Sequence, residues 1–280
     1  MRLARIGQPG CETPVVEIDG VLRDLSSVTP DIDGGFLDTV LPGLDPRDLP
    51  TLDRAGTRFG PPVAGPSKVI GIGLNYRSYA AGLGVDPPAS PVVFLKAPSS
   101  VCGPTDAIRP LPGSTSTDFE VELALVIGHR LRGLVDRDTA LAAVAGYTLA
   151  NDVTDRDLAA GGGPWAGGKC ADTFCPLGPW LVTPDEVSDP GSVALRLSVN
   201  GIGMQDGSTS DMVFDVPDIL VHLSGLMTLE PGDVILTGTP VGTAVTRAEP
   251  RPYLRDGDLV EADGGVLGLH RSPVGASGPR

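Results

Sequence analysis

The hydrophobic positions of this chain fall in short runs of strand-like character, separated by segments rich in glycine, proline and aspartate. LARIG, PVVEI and VLRDL come first and close in the turn-rich FGPPVAGPS, which predicts a small β-rich N-terminal domain and linker over residues 1–65. KVIGIG, PVVFLKA, DFEVELALVIG, GYTLANDV, VALRLSVNG, DVILTGT and DLVEAD predict the strands of a larger domain over residues 66–280. Helical spacing is sparse. LVDRDTALAAVAG predicts a short helix, and VPDILVHLSGLMTLEPGD a longer one with proline near its start and Pro-Gly after its end. The fold class is therefore mainly β within an α+β architecture, and SPVGASGPR reads as a loose tail.

Composition narrows the function classes. Hydrophobic residues make up 41% and charged residues 20% of the 280, ordinary values for a folded protein. The formal net charge of -14 opposes a nucleic-acid partner, because phosphate binding needs a concentrated lysine and arginine field. No apolar stretch approaches the roughly 20 residues that span a bilayer, so a cytoplasmic protein with no membrane partner is expected. GIGLNY follows a strand but lacks the third glycine of a dinucleotide loop. The four cysteines have no structural-zinc spacing and read as reduced thiols, and the three histidines, His129, His222 and His270, form no chelating pair.

Candidate chemistry lies in the carboxylates. Side chains alternate along a strand, so in DFEVELALVIG Asp118, Glu120 and Glu122 share one face. Like charges this close repel, and a bound cation relieves them; a solvated strand face is the competing reading. TLANDVTDRDL, a second apolar run ending in acids, supplies a third oxygen ligand from Asp152 if the two strands meet. An all-oxygen donor set selects Mg²⁺ or Mn²⁺ ahead of Zn²⁺, with Ca²⁺ also compatible.

From about residue 66 onward, the ordered series GIGLNY, VFLKAPSS, DFEVELALVIG, GYTLANDVTDRD, GGKCADTFCPLGPW, VNG, MQDGSTSDMVF and LEPGDVILTGTP resembles the fumarylacetoacetate hydrolase superfamily, on its acylpyruvase and fumarylpyruvate hydrolase side. The resemblance implies a mixed β-sheet roll with a small N-terminal domain, assembled as a homodimer. It makes Glu120, Glu122 and Asp152 the metal ligands, and Lys169 a catalytic cation that helps stabilise an enolate. Lys96, Gln205 and Thr239 match substrate-contacting positions. The implied substrate is a small keto acid carrying a second carbonyl.

The sequence departs from that family in one chemically important segment. Hydrolytic members place a histidine and, three residues later, a glutamate after N-Y to activate water; here the positions hold Tyr79 and Gly82. A tyrosine of ordinary pKa, about 10, is a poor base toward water near neutrality. Three readings follow. The chain is a carbon–carbon bond hydrolase with a substitute base, such as Asp86 or metal-bound hydroxide. Alternatively it is a decarboxylase, tautomerase or other lyase or isomerase in which Lys169 or Tyr79 handles the proton. The third is a non-catalytic metal-binding relative.

Overall fold

The computed structural model describes residues 1–53, 56–160 and 165–275. The last five residues of the expected tail lie outside this set. Apolar runs became strands where predicted. They are β1 (Arg2–Ile6), β2 (Thr13–Ile18), β3 (Val21–Asp24), β4 (Val69–Gly73) and β5 (Val92–Lys96). The short β6 (Val101–Cys102) and β7 (Thr117–Asp118) precede the long pair β8 (Val121–Ile127) and β9 (Val144–Asn151). After them come β10 (Thr154–Asp155), β11 (Cys175–Val182), β12 (Ala194–Val199), β13 (Ile202–Ser208), β14 (Val234–Leu236), β15 (Leu259–Asp263) and β16 (Leu269–Pro273).

A mixed sheet in the order β3-β2-β1-β11-β9-β8-β14-β4-β5 forms the centre, with β6 added alongside β11; β13-β12-β15-β16 form a second sheet. Pairing is antiparallel except for β14 with β4 and β6 with β11. The strands of residues 1–65 extend the main sheet, Arg2 and Leu3 pairing with Val182 and Leu181. Every residue of β8 and β9 is buried. Successive β8 side chains serve opposite faces of the sheet: Leu123, Leu125 and Ile127 join one apolar cluster, Ala124 and Val126 the other.

Both predicted helices are present, at Arg137–Ala142 and Val216–Leu226. Aspartates cap their starts: Asp136 accepts from the Thr139 N–H and Asp215 from the Asp218 N–H. A further helix, Arg77–Leu83, spans the departing segment and buries Tyr79. The predicted DFEVELALVIG strand is broken. Asp118 pairs with Thr154 in a separate two-stranded ribbon of β7 and β10, and regular pairing with β9 resumes at Val121. That bend turns Glu120 toward the start of β8, beside the end of β9.

Candidate metal centre

The antiparallel register of β8 and β9, Glu122 opposite Ala150 and Val121 opposite Asn151, brings the two acidic strand ends together. The Asn151 carboxamide oxygen accepts from the Glu120 N–H at 2.9 Å, and the Asp152 N–H donates to the Glu120 carbonyl at 2.9 Å. Glu120, Glu122 and Asp152 each offer an oxygen, all within 4.8 Å of one another. They are 4%, 2% and 0% exposed, which excludes a solvated strand face.

Three cations surround them. Lys169 Nζ donates to Glu120 Oε2 at 2.9 Å, Asp152 Oδ2 at 2.5 Å and the Thr154 hydroxyl at 2.8 Å. Lys96 lies behind Asp152, donating to its Oδ1 at 2.5 Å and to the Lys169 carbonyl at 2.6 Å. Arg156 spans Asp118 at 2.8 Å and Glu120 at 2.5 Å. Asp118, 0% exposed, also accepts from the Ala244 and Val245 N–H groups, so it ties the arginine to the 244–245 turn.

Desolvation opposes the Lys169 charge, but the Asp152 and Glu120 carboxylates outweigh it and hold the ammonium above its ordinary value. Burial likewise opposes the Asp152 charge, and Lys169 with Lys96 holds that carboxyl below the usual range. Glu122 goes the other way, pushed well above the carboxylate range by burial and by its negative neighbours. Its Oε2 accepts the Gly238 N–H at 2.6 Å, and no cation pairs with it among the described residues. With all four ionised, Asp118, Glu120, Glu122 and Asp152 exceed the three cations, Lys96, Lys169 and Arg156, by one buried negative charge, which is the charge that raises Glu122. A hard divalent ion suits this oxygen set and offsets that charge, so the residues fit the divalent metal that the motif resemblance implies.

The cluster forms part of the lining of a cavity of about 370 Å³, together with Tyr79 and Thr239. The Tyr79 hydroxyl donates to Glu120 Oε1 at 3.4 Å, and burial keeps its phenol well above the ordinary pKa. Thr239 donates to the Val121 carbonyl at 2.9 Å. Gln205 stands behind the wall: its amide donates to Thr239 Oγ1 and the Pro240 carbonyl, and its oxygen accepts from the Val121 N–H. The TGTP turn is thereby clamped to β8. Gly238, at φ +97°, faces Asn75 so closely that an added Cβ would lie 2.8 Å from the Asn75 Cβ.

One wall is aromatic. Phe94 and Trp165 meet edge to face with centroids 5.8 Å apart, and Lys169 Nζ lies 4.8 Å from the Phe94 centroid. β4 makes room for them, since a Cβ on Gly73 would fall 2.2 Å from the Trp165 ring. Sequence reading missed this pair, together with Arg156, Asp157, Arg251 and Tyr253, all of which line the cavity. Arg156 and Asp157 had a signal, the acidic-basic run after the N-D strand end; the others come from distant segments with none. Asp86 is exposed and is not among the cavity-lining residues, and no histidine joins the carboxylate cluster.

Comparison with known proteins agrees with this geometry. The family model for the fumarylacetoacetate (FAA) hydrolase C-terminal region matches residues 68–275. A 2,4-didehydro-3-deoxy-L-rhamnonate hydrolase of Sphingomonas sp. is 43% identical over 276 residues, covering 98% of this chain and 96% of the relative. A fumarylacetoacetate hydrolase from the psychrophile Exiguobacterium antarcticum superposes with a TM-score of 0.84 at 36% identity, over 99% of this chain and 100% of the other. A 5-carboxymethyl-2-hydroxymuconate delta-isomerase from Mycobacterium smegmatis gives 0.79 at 35% identity, covering both chains fully. Relatives thus include both hydrolases and isomerases. Among the described residues, no helix is long and apolar enough to cross a membrane. The ordered motifs, the mixed sheet, the buried carboxylate cluster and the full-length matches place this chain in the fumarylacetoacetate hydrolase family.

Proposed function

We propose that this chain is a divalent-metal-dependent hydrolase that cleaves a carbon–carbon bond of a 2,4-dioxo acid, an acylpyruvate. The observation that carries the reading is the buried, charge-deficient cluster of Glu120, Glu122 and Asp152 with Lys169, opening on a substrate-sized cavity. The name of the Sphingomonas relative supports it, because didehydro at carbons 2 and 4 with a deoxy carbon 3 describes a 2,4-dioxo acid. Mg²⁺ or Mn²⁺ suits the donor set best, with Ca²⁺ compatible, and when held by the three carboxylates such an ion supplies a Lewis acid for the substrate oxygens.

The protein's own groups do the rest. Lys169, kept protonated, sets positive charge where enolate oxygen develops. Arg156 fixes Glu120, and Lys96 fixes Asp152 and the Lys169 backbone. Gln205 acts on the substrate wall through Thr239. Asp157, exposed on the cavity lining and with no side-chain hydrogen-bond acceptor role among the described contacts, takes a proton from the attacking water. Water adds at carbon 4, the C3–C4 bond breaks with its electron pair left on carbon 3, and carbon 4 becomes a carboxylic acid. Tyr79, neutral, is the donor that returns a proton to carbon 3, and the proton given up as the new carboxylic acid ionises restores its phenol.

One observation favours a second reading. Tyr79 and Gly82 stand in the helix where the hydrolytic pattern has histidine and glutamate, so enolate formation without water attack, giving decarboxylation or tautomerisation, suits the helix itself. A cytoplasmic homodimer with a unit boundary near residue 65 belongs to this proposal: the dimer rests on family resemblance, the boundary on the turn-rich FGPPVAGPS, and the location on the absence of a membrane-length apolar run.

The test is to follow an acylpyruvate and oxaloacetate by ¹³C and proton NMR in heavy water with the Mg²⁺- or Mn²⁺-loaded protein, using EDTA and Glu122→Gln controls. Cleavage of the acylpyruvate into pyruvate and a second acid is expected. Carbon dioxide release, or metal-dependent deuterium exchange at carbon 3 without cleavage, establishes the second reading. Absence of all three overturns both.

A further inference from the structure

Resting on that reading, we propose that Arg251 and Tyr253 form a distal anion subsite that takes a second carboxylate, at the far end of the substrate's acyl arm. Lys169, Arg156 and Arg251 are the cations on the described cavity lining. Two of them are committed. Lys169 Nζ makes three hydrogen bonds within the cluster, and the Arg156 fork is divided between Asp118 and Glu120.

Arg251 differs in kind. Its contacts are long: Nη1 to the Tyr253 hydroxyl at 3.4 Å, and Nε facing Glu249 Oε1 at 3.4 Å. Nε is shut off from solvent yet has no hydrogen-bond acceptor, which is a costly way to leave a guanidinium donor. The rest of the side chain stays open, 37% exposed, and Glu249 is 74% exposed, so solvent weakens that ion pair. A planar fork whose donors lack good acceptors, beside a phenol hydroxyl, matches the bidentate geometry of a carboxylate.

Charge balance points the same way. A divalent ion turns the cluster's single negative excess into a single positive one, which the 2-oxo acid head of the substrate neutralises. That head leaves Arg251 with only the solvent-weakened Glu249 pair to answer it. Apart from Tyr79, Asp157 and Thr239, aromatic and aliphatic wall, including Phe94, Trp165 and Leu74, supplies most of the remaining lining, so a short carbon arm with an acid at its end fits the distribution of polar groups.

The decisive experiment uses uncleavable ligands, so that it does not depend on turnover. Calorimetry with the Mg²⁺-loaded protein compares 2-oxoadipate, which carries a distal carboxylate, with 2-oxohexanoate, which lacks it, for wild type and Arg251→Gln. The subsite predicts that wild type binds 2-oxoadipate roughly tenfold or more tightly, and that Arg251→Gln removes that preference without changing 2-oxohexanoate affinity. In parallel, KM for a dicarboxylic acylpyruvate rises in Arg251→Gln while acetopyruvate kinetics stay unchanged. Equal binding of the two oxo acids by wild type, loss of both in the variant, or binding of neither overturns the subsite. Selective binding with no acylpyruvate cleavage overturns the hydrolase reading and leaves the subsite standing.

Discussion

Replacing Lys96 with methionine tests whether the cluster is one electrostatic unit. The substitution keeps the apolar stem and deletes an ammonium that is fully buried, 0% exposed along its side chain. It strands Asp152 Oδ1 and the Lys169 carbonyl, which the lysine serves at 2.5 and 2.6 Å. Breaking a buried pair by removing one partner costs about 3–5 kcal/mol. At this chain length a kcal/mol moves the melting temperature by about 2 °C, so a fall of about 6–10 °C is expected in EDTA. With Mn²⁺ or Mg²⁺ saturating, the fall shrinks, because a divalent ion offers Asp152 another positive partner and the variant cluster has a larger negative excess to relieve. Differential scanning calorimetry with and without metal reads both numbers. A fall in EDTA below about 2 °C, or an equal fall in the two conditions, refutes the linked-cluster argument.

Glu122→Gln keeps the shape and removes one ligand charge, so Mn²⁺ affinity by electron paramagnetic resonance titration drops at least about tenfold; unchanged affinity removes Glu122 from the ligand set. Asp157→Asn slows acylpyruvate cleavage by about 10²-fold while leaving deuterium exchange at carbon 3 intact, and equal loss of both shows that it is not the water base. Gly82→Glu forces a side chain whose Cβ would lie 2.9 Å from the Val241 Cγ2, and urea unfolding should show a loss of about 1–3 kcal/mol. Restoring the histidine-glutamate pair therefore needs a smaller residue at Val241 as well. His270, whose pKa burial pushes down from 6.5 to about 4, stays neutral in the fold while the unfolded chain takes up a proton. Its contribution is complete above pH 6.5 and is lost toward pH 4, about 3 kcal/mol in all; His270→Gln flattens that part of the stability-pH curve, and an unchanged slope counts against the assignment.

Most of the strands, the helices at 137–142 and 216–226 and the acidic strand ends were legible in the sequence because each is encoded by neighbours: short apolar runs between turn residues, apolar positions at helical spacing, carboxylates two residues apart. So were the ligand candidates Glu120, Glu122 and Asp152, and the motif holding Lys169. Whether the two acidic segments meet was not local information; it is decided by the β8–β9 register and by the bend at Phe119–Glu120 that pairs Asp118 with a different ribbon. Nor does the chain show that Lys96 lies behind Asp152 while Tyr79 and Thr239 line the cavity, or that Gln205 spends its amide on the TGTP turn. Arg251 and Trp165 reach the cavity from segments 86 residues apart in the chain, across contacts that only close packing of the strands and loops brings about. Sequence alone determined which groups are available for chemistry, since residue type and local period are properties of the chain; the tertiary structure decided which of them share a desolvated space, and so which charges are balanced, which donors are spent, and which are left for a substrate.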